Sequence, residues 1–558
     1  KATRITSVTD RDLGGYFWKS GSRIVYLKDN AGDENFHLYA VNVDGTNLKD
    51  LTPFEGVKAD FVDELEDNDN EMLIQLNKDN PEIFDVYRLN INTGEMTKIA
   101  QNPGNITGWV TDHDGKLRVA VTTDGINSSL LYRATEQDTF QVIMTTNFKE
   151  SVNPLFFDFE NKYLYATSNL RRDKAAIVKL NPENGAEMEI LFEHPEVDAG
   201  SLHYSHKRKV LTAISFTTWK RHRKFLDGTT LELFENLGQL LPGYEISLSS
   251  HTKDENTYIV RTYSDKTLGA YYIYTFTTNK LVPIGEVSPW LKEDKMAEMK
   301  PITFRTRDGY VINGYLTLPK GKDPKNLPVI VNPHGGPWAR DNWGFNPEVQ
   351  FLANRGYAVL QINFRGSTGY GRQFWEMSFK QWGLTMQNDI TDGVNYLIKE
   401  GIADPKRVAI YGASYGGYAT LAGIAYTPDL YAAAVDYVGV SNLLSFMNTI
   451  PPYWKPYLEM MYEMVGNPNT EEALLKAASP VFHVDKIKTP LFVAQGAKDP
   501  RVNINESNQI VEALKKRGVA VEYMVKENEG HGFSNEENQF AFYKAMEKFL
   551  KKHMGLKK

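Results

Sequence analysis

Ser414 stands in Gly412-Ala413-Ser414-Tyr415-Gly416, between the apolar run "RVAIY" and a stretch of small and apolar residues able to continue as a helix. A serine hydroxyl becomes a nucleophile only when a base takes its proton. The base and the acid that orients it must come from histidines and carboxylates further along the chain. Two histidines follow late enough, His531 and His553. His531 lies in "ENEGHGF", just past the strand-like run "AVEYMVK", with glycine on both sides; His553 sits in the basic tail "KKHMGLKK", which reads as solvated. His483 comes earlier and reads as a helix-end or turn residue. Asp499, in "VAQGAKDPRV", closes the preceding strand-like run. Asp485 precedes that run and so falls at its wrong end, and Glu506 falls inside a helix. Ser414, Asp499 and His531, in that order and each just beyond a strand, form a nucleophile, acid and base suited to acyl transfer. For the glycine-flanked serine by itself, a plain turn is the alternative.

Acyl transfer also needs donors for the oxyanion that develops on the attacked carbonyl. The backbone N–H of Tyr415 supplies one, at the start of the helix that follows. The segment "NPHGGPWARD" supplies the other, from Gly335 or Gly336, with Gly336 favoured. Losing one such donor typically lowers the rate ~10²–10³-fold. His334 is expected to hydrogen-bond across this loop.

These groups must be positioned by the elements around them, and the chain divides into two grammars. Residues 1–291 alternate short strand-like runs with Asp, Asn and Gly turns at a period of about 47 residues, which is the pattern of a β-propeller. Six full units are counted over residues 10–291. The opening "KATRITSV" reads as an extra strand, so a seventh blade is expected in the parent, with the natural N-terminus removed. Residues 292–558 alternate apolar strands with helices. Runs such as "PVIVNPH", "GYAVLQINF", "RVAIYGA" and "PLFVAQG" are nearly continuous, as buried parallel strands are. Eight strands are expected, in an α/β-hydrolase domain with a mostly parallel sheet, its site at the strands' carboxyl ends.

Composition narrows the classes. The chain has 558 residues, 41% of them hydrophobic, and a formal net charge of −7, so nucleic acid is not an expected partner. No apolar run reaches the ~20 residues of a membrane span. With no cysteine, disulfides, zinc–thiolate sites and a cysteine nucleophile are excluded. No metal or cofactor is expected, because no dinucleotide, phosphate-loop or metalloprotease motif occurs. Cytoplasm and periplasm both stay open, as does a homo-oligomer.

Taken together, "HGGP", "NFRGSTGYG" (363–371), "GASYGGY" (412–418), "GAKDPRV" (496–502) and "GHGF" (530–533) closely resemble the prolyl oligopeptidase family of serine peptidases, in particular its acylaminoacyl-peptidase-like branch. The resemblance implies hydrolysis of short peptides through an acyl-enzyme, with the propeller limiting access. It gives Ser414, Asp499 and His531 the nucleophile, acid and base roles. It implies that Arg501 contacts the peptide backbone or a substrate carboxylate, an ion pair holding the acid's loop being the alternative. By the same resemblance the aromatic segment 441–468 helps line the pocket before the scissile bond, with Phe446, Trp454, Tyr457 and Tyr462 as candidates.

Two departures stand out. The tyrosine side-chain donor of the prolyl-cleaving branch is replaced here by "HGGP", and no paired-glutamate motif of the dipeptidyl-peptidase branch is evident. The acidic run "DELEDNDNE" (63–71) reads as a solvated blade turn, and the basic run "WKRHRK" (219–224) as a solvated blade edge. An esterase or lipase using the same three residues, or a non-catalytic propeller that binds partners, are the competing functions.

Overall fold

The computed structural model describes residues 4–9 and 13–555. Six small antiparallel sheets come first, and each is built from consecutive strands. The first blade holds Gly15–Ser20, Arg23–Lys28, His37–Asn42 and Lys49–Asp50. The sixth holds Glu245–His251, Thr257–Tyr263, Ala270–Thr275 and Lys280–Glu286. Two expectations need correction. Residues 4–9 form no strand; Ile5 instead packs on Ile24, Tyr26 and Val41 of the first blade. Residues 1–3 of the expected orphan strand lie outside the described residues.

The fifth unit is also not a full four-stranded blade. Its sheet has three strands, Ala199–Ser205, Val210–Thr217 and Arg221–Phe225, followed by a helix, α1 (Gly228–Leu240). Asp227 caps α1 by accepting from Thr230 N–H (2.9 Å). Leu233 and Leu237, four residues apart on one face, pack with Ile246 and Val260 of the sixth blade. That spacing and cap were present in "DGTTLELFENL" and mark the helix.

Successive strands in a blade run antiparallel, so turns between second and third strands all emerge on one face of the ring. All six of those turns meet the hydrolase half. Gly32 abuts Gly530 and Gly125 abuts Glu459. Glu82 pairs with Lys455 (2.5 Å). Lys174 donates to the Tyr370 carbonyl (2.6 Å), and Thr218 accepts from Arg340 (2.8 Å). Asp265 accepts from Met299 N–H (2.8 Å).

The acidic run occupies the opposite face; the side chains of Glu64, Glu66, Asp67 and Asp69 are exposed, as a solvated turn requires, but its main chain is tied to other blades. Lys19 of blade one donates to the carbonyls of Glu64, Leu65 and Asn68. Thr111 of blade three donates to Asp63. His206 of blade five lies 3.6 Å from Asp67, and Lys253 of blade six donates to the Glu66 carbonyl (3.3 Å). A turn of blade two reaches blades five and six only by lying across the propeller axis. Burial lowers the pKa of Lys19.

The second half is one sheet of eight strands: β1 (Met299–Arg305), β2 (Val311–Thr317), β3 (Leu327–Val331), β4 (Ala358–Asn363), β5 (Ala403–Ala413), β6 (Ala433–Tyr437), β7 (Leu491–Gly496) and β8 (Val521–Lys526). Their spatial order is β1-β2-β4-β3-β5-β6-β7-β8. β1 and β2 run antiparallel, as do β2 and β4, and all remaining neighbours are parallel. Every residue of β3, β4 and β7 is buried, as unbroken apolar runs require. One large cluster covers one face through Met386, Ile390, Leu421 and Ile510; Phe542, Met546 and Phe549 cover the other.

Candidate active site

Ser414 sits at the end of β5, where the strand turns into a helix, α2 (Tyr415–Tyr426). Its backbone has φ +60° and ψ −120°, a conformation that costs an L-residue about 1–3 kcal/mol and persists only where neighbours enforce it. Those neighbours are close. A side chain on Gly416 would collide with the Pro333 carbonyl, and one on Gly417 with Asp436 and Gly439. Val438, a β-branched residue, is itself held at φ +48° directly after β6. Two strained corners thus stand side by side, joined by the bond from Ser414 N–H to the Tyr437 carbonyl (3.0 Å).

The histidine loop reaches the same place. His531 Nδ1–H donates to Asp499 Oδ2 (2.7 Å), and the two side chains are 12% and 0% exposed. Asp499 is caged further: the N–H groups of Arg501 and Val502 both donate to Oδ1 at 2.9 Å. With Nδ1 committed to the carboxylate, Nε2 is the nitrogen left to take a proton. The Tyr437 hydroxyl accepts from Phe533 N–H, two residues past His531, while its carbonyl accepts from Ser414. Tyr437 therefore couples the serine corner to the histidine loop. Ser414 Oγ makes no hydrogen bond among the described residues; in unliganded sites such bonds are often long and tighten with substrate.

The "HGGP" loop leans on the serine. Tyr415 N–H opens α2, and its buried ring packs edge-on to Trp382 at 4.6 Å. A Cβ built on Gly335 would lie 3.4 Å from Ser414 Cβ, whereas one on Gly336 faces Trp338 and Ala339. Gly335 is thus the glycine in contact with Ser414. His334 Nδ1–H donates to the Gly335 carbonyl (2.7 Å), and its Nε2 accepts from Ser367 (2.9 Å). Burial lowers the His334 pKa to about 4, so the ring is neutral and fixed in that tautomer. Ser367 belongs to the "NFRGSTGYG" segment, whose Arg365 is buried against Asp389 (2.6 Å). That segment braces the loop beside the serine.

The other expected residues are dispersed. Phe446 is 7% exposed in the core near Trp382, leaving little surface for a ligand. Trp454 and Tyr462 are partly buried against the same core. Tyr457 bonds Thr107 of the propeller, and burial raises its pKa. Asp485 is exposed on the approach to β7. Glu506, in a helix, α3 (Ile504–Lys516), is buried and accepts from Ser441 and Asn442 N–H (3.0 and 2.8 Å). His483 lies in a 3-10 turn. His553 is the exception to expectation: it is the penultimate residue of the last helix, α4 (Glu536–Met554), with its ring 4.7 Å from Phe549. Among the described residues no group of three or more His, Asp or Glu is arranged to hold a metal ion, and no helix is long and apolar enough to cross a membrane.

Sequence reading missed three residues here. Tyr437 is one. The others meet at Arg501, whose guanidinium pairs with Glu34 of the propeller (2.9 Å). Tyr453 donates to the same carboxylate (3.3 Å), and burial raises the Tyr453 pKa to about 12. Glu34 is 12% exposed and Arg501 45%. Half-exposed pairs add ~0–1 kcal/mol to stability, so this one matters more for placement than for holding the fold.

The sequence profile of the prolyl oligopeptidase family matches residues 343–557. The chain is 33% identical to dipeptidyl aminopeptidase BIII of Pseudoxanthomonas mexicana, over 100% of this chain and 82% of that one. The chain belongs to the prolyl oligopeptidase family. It is therefore a serine-type peptidase. The acylamino-acid-releasing enzyme of Arabidopsis thaliana is 32% identical over 48% of this chain and 34% of its own length. Among solved structures, a puromycin-hydrolysing peptidase of Mycobacterium tuberculosis superposes with a TM-score of 0.78 at 20% identity, covering 96% of this chain and 85% of that one. That likeness bears on the fold: a six-bladed propeller followed by a mostly parallel eight-stranded sheet.

Proposed function

We propose that Ser414, Asp499 and His531 form the catalytic triad, and that the enzyme releases short fragments from the free N-terminus of peptides. The carrying observation is the caged Asp499–His531 pair at the carboxyl ends of β7 and β8, tied through Tyr437 to the strained serine corner. His531 Nε2 takes the Ser414 proton as Oγ attacks the peptide carbonyl. The Tyr415 amide and the Gly335–Gly336 segment lie on the side where the oxyanion forms. His531 then gives that proton to the leaving amine and afterwards activates water to release the acyl group. Asp499 stabilises the imidazolium in between.

Two facts support the N-terminal preference. A relative matched over this whole chain is named a dipeptidyl aminopeptidase. The propeller also delivers a largely buried carboxylate, Glu34, to the loop that carries Asp499, where a substrate ammonium finds an acceptor. Ser414→Ala is expected to lower kcat at least ~10³-fold with an unchanged melting curve. The preference is tested with one peptide in free and N-acetylated forms. Faster turnover of the free form supports it; equal or faster turnover of the acetylated form rejects it and leaves the triad standing.

A further inference from the structure

A cavity of about 340 Å³ opens at the seam between the fifth and sixth blades and the hydrolase half, away from the residues assigned above. Ser201, Ser215, Lys220 and Arg221 line it from blade five, Tyr263 from blade six, and Asn342 from the loop beyond Gly336. The basic run 219–224 divides here according to strand alternation. His222 and Lys224 turn to one side, where the His222 ring stacks on Phe216 and Lys224 covers Phe192. Arg221 and Arg223 share the other face, and Arg221 with Lys220 reaches the cavity.

The charges on that face do not balance. Lys220 pairs with Glu245 (2.8 Å). Among the described residues neither Arg221 nor Arg223 has a carboxylate within ion-pair distance. Arg221 has only the Ser215 hydroxyl at 3.4 Å, and Arg223 donates to the Ile246 carbonyl (2.9 Å) while lying over Phe234. Nearby His203, 3.2 Å from Ser215 Oγ, has its pKa lowered by burial and then by Arg221 and Arg223. Two like-charged guanidiniums on one strand face repel, and an oxyanion relieves that repulsion while accepting charge-assisted hydrogen bonds. The hydroxyls of Ser201 and Tyr263 and the Asn342 amide can complete its shell.

We propose that this cavity binds an oxyanion, a carboxylate or phosphate group, held between Arg221 and Lys220 of the propeller and Asn342 of the hydrolase half. The ligand bridges the two halves beside the Trp219–Trp343 edge contact (6.1 Å) and the Arg340 bond to the Thr218 carbonyl. Asn342 is six residues beyond Gly336, which limits their separation to about 20 Å. A peptide that leaves Ser414 along this loop spans the same distance in about six extended residues, which sets the length of the peptide probe below. Free phosphate is the other source of the same chemistry.

The test measures binding to the full chain carrying Ser414→Ala, which prevents turnover, by calorimetry at fixed ionic strength. Three probes are used: inorganic phosphate, a peptide of about seven residues ending in a free carboxylate, and the same peptide amidated. Arg221→Gln and Asn342→Ala are each added to that background, and unchanged melting curves in chloride show that they fold. We expect saturable binding of phosphate or the carboxylate peptide that weakens at least ~10-fold in both variants, with the amidated peptide unaffected by either. Preference for the carboxylate peptide names the substrate as the source, and phosphate binding without that preference names the free anion. Binding that is absent, matched by chloride, or unchanged in Arg221→Gln overturns the proposal. None of these readings depends on the N-terminal preference proposed above.

Discussion

The two halves hold their shape in different ways. In the hydrolase half one sheet is buried on both faces, and the serine corner is packed so closely that Gly416 and Gly417 admit no side chain. The propeller divides its apolar residues among several smaller clusters and touches the hydrolase at separate points, some polar and some aromatic. Chemistry that needs placement to a fraction of an ångström is built where nothing can yield. Selection of what reaches it is left to contacts of lower energy, each from a separate blade. Glu34 illustrates the second kind of contact, and Asp436 the first.

Substitutions can break this contrast, beginning inside the hydrolase. Gly416→Ala drives a methyl group into the Pro333 carbonyl; peptidase activity is expected to fall at least ~10³-fold, with a lower melting temperature. A variant with near-native turnover shows the corner to be pliant. Asp436 comes next. It is fully buried, with the Gly439 backbone N–H as its polar neighbour, and burial lifts its pKa to about 7. A carboxyl raised in the folded state binds its proton more tightly there, so its contribution is complete below pH ~4 and is lost as pH rises toward 7. Asp341, also raised to about 7, acts in the same sense, while His334 acts oppositely over pH ~4–6.5. Both cancel when Asp436→Asn is compared with the wild type. Urea melts at pH 5 and 7.5 are expected to show the variant losing roughly 2–3 kcal/mol less. Parallel losses in the two proteins contradict the assignment.

Tyr437→Phe keeps the bond to Ser414 N–H and deletes the acceptor for Phe533 N–H. A fall of about 10-fold in kcat with little change in KM is expected, because the histidine loop is released and not the substrate. A change confined to KM points to a different role. An effect of the same size, but on KM and for one substrate class only, belongs to the seam. Glu34→Gln is expected to raise KM for free-amine peptides about 10-fold and leave acetylated peptides untouched, the size of one charge-assisted hydrogen bond in a partly wet site. Equal effects on both substrates indicate instead that the carboxylate only positions Arg501.

The placement of Ser414, Asp499 and His531 beyond strand ends was legible because each follows an apolar run that a buried strand satisfies. The eight strands were legible for the same reason, and six repeats showed through the period of the turns. Glu34 was not legible. It lies in a blade turn 467 residues from Arg501, and only the closing of the ring over the sheet brings them together. Tyr437 acts through its backbone carbonyl and hydroxyl together, which no spacing reveals. In the run 63–71 charge rightly marked solvated side chains, but nothing in it announced that its main-chain carbonyls turn onto Lys19. The helix in the fifth blade was masked by the strand rhythm around it.

That acidic turn carries a mechanical consequence. Because every blade is made of consecutive strands, no strand borrowed from the opposite end of the propeller stitches the described ring shut. The turn instead works as a hub, with spokes to blades one, three, five and six. Loosening it at Lys19 frees opposite sides of the wheel together, so the rim's rigidity over the catalytic half is set partly at the face furthest from it.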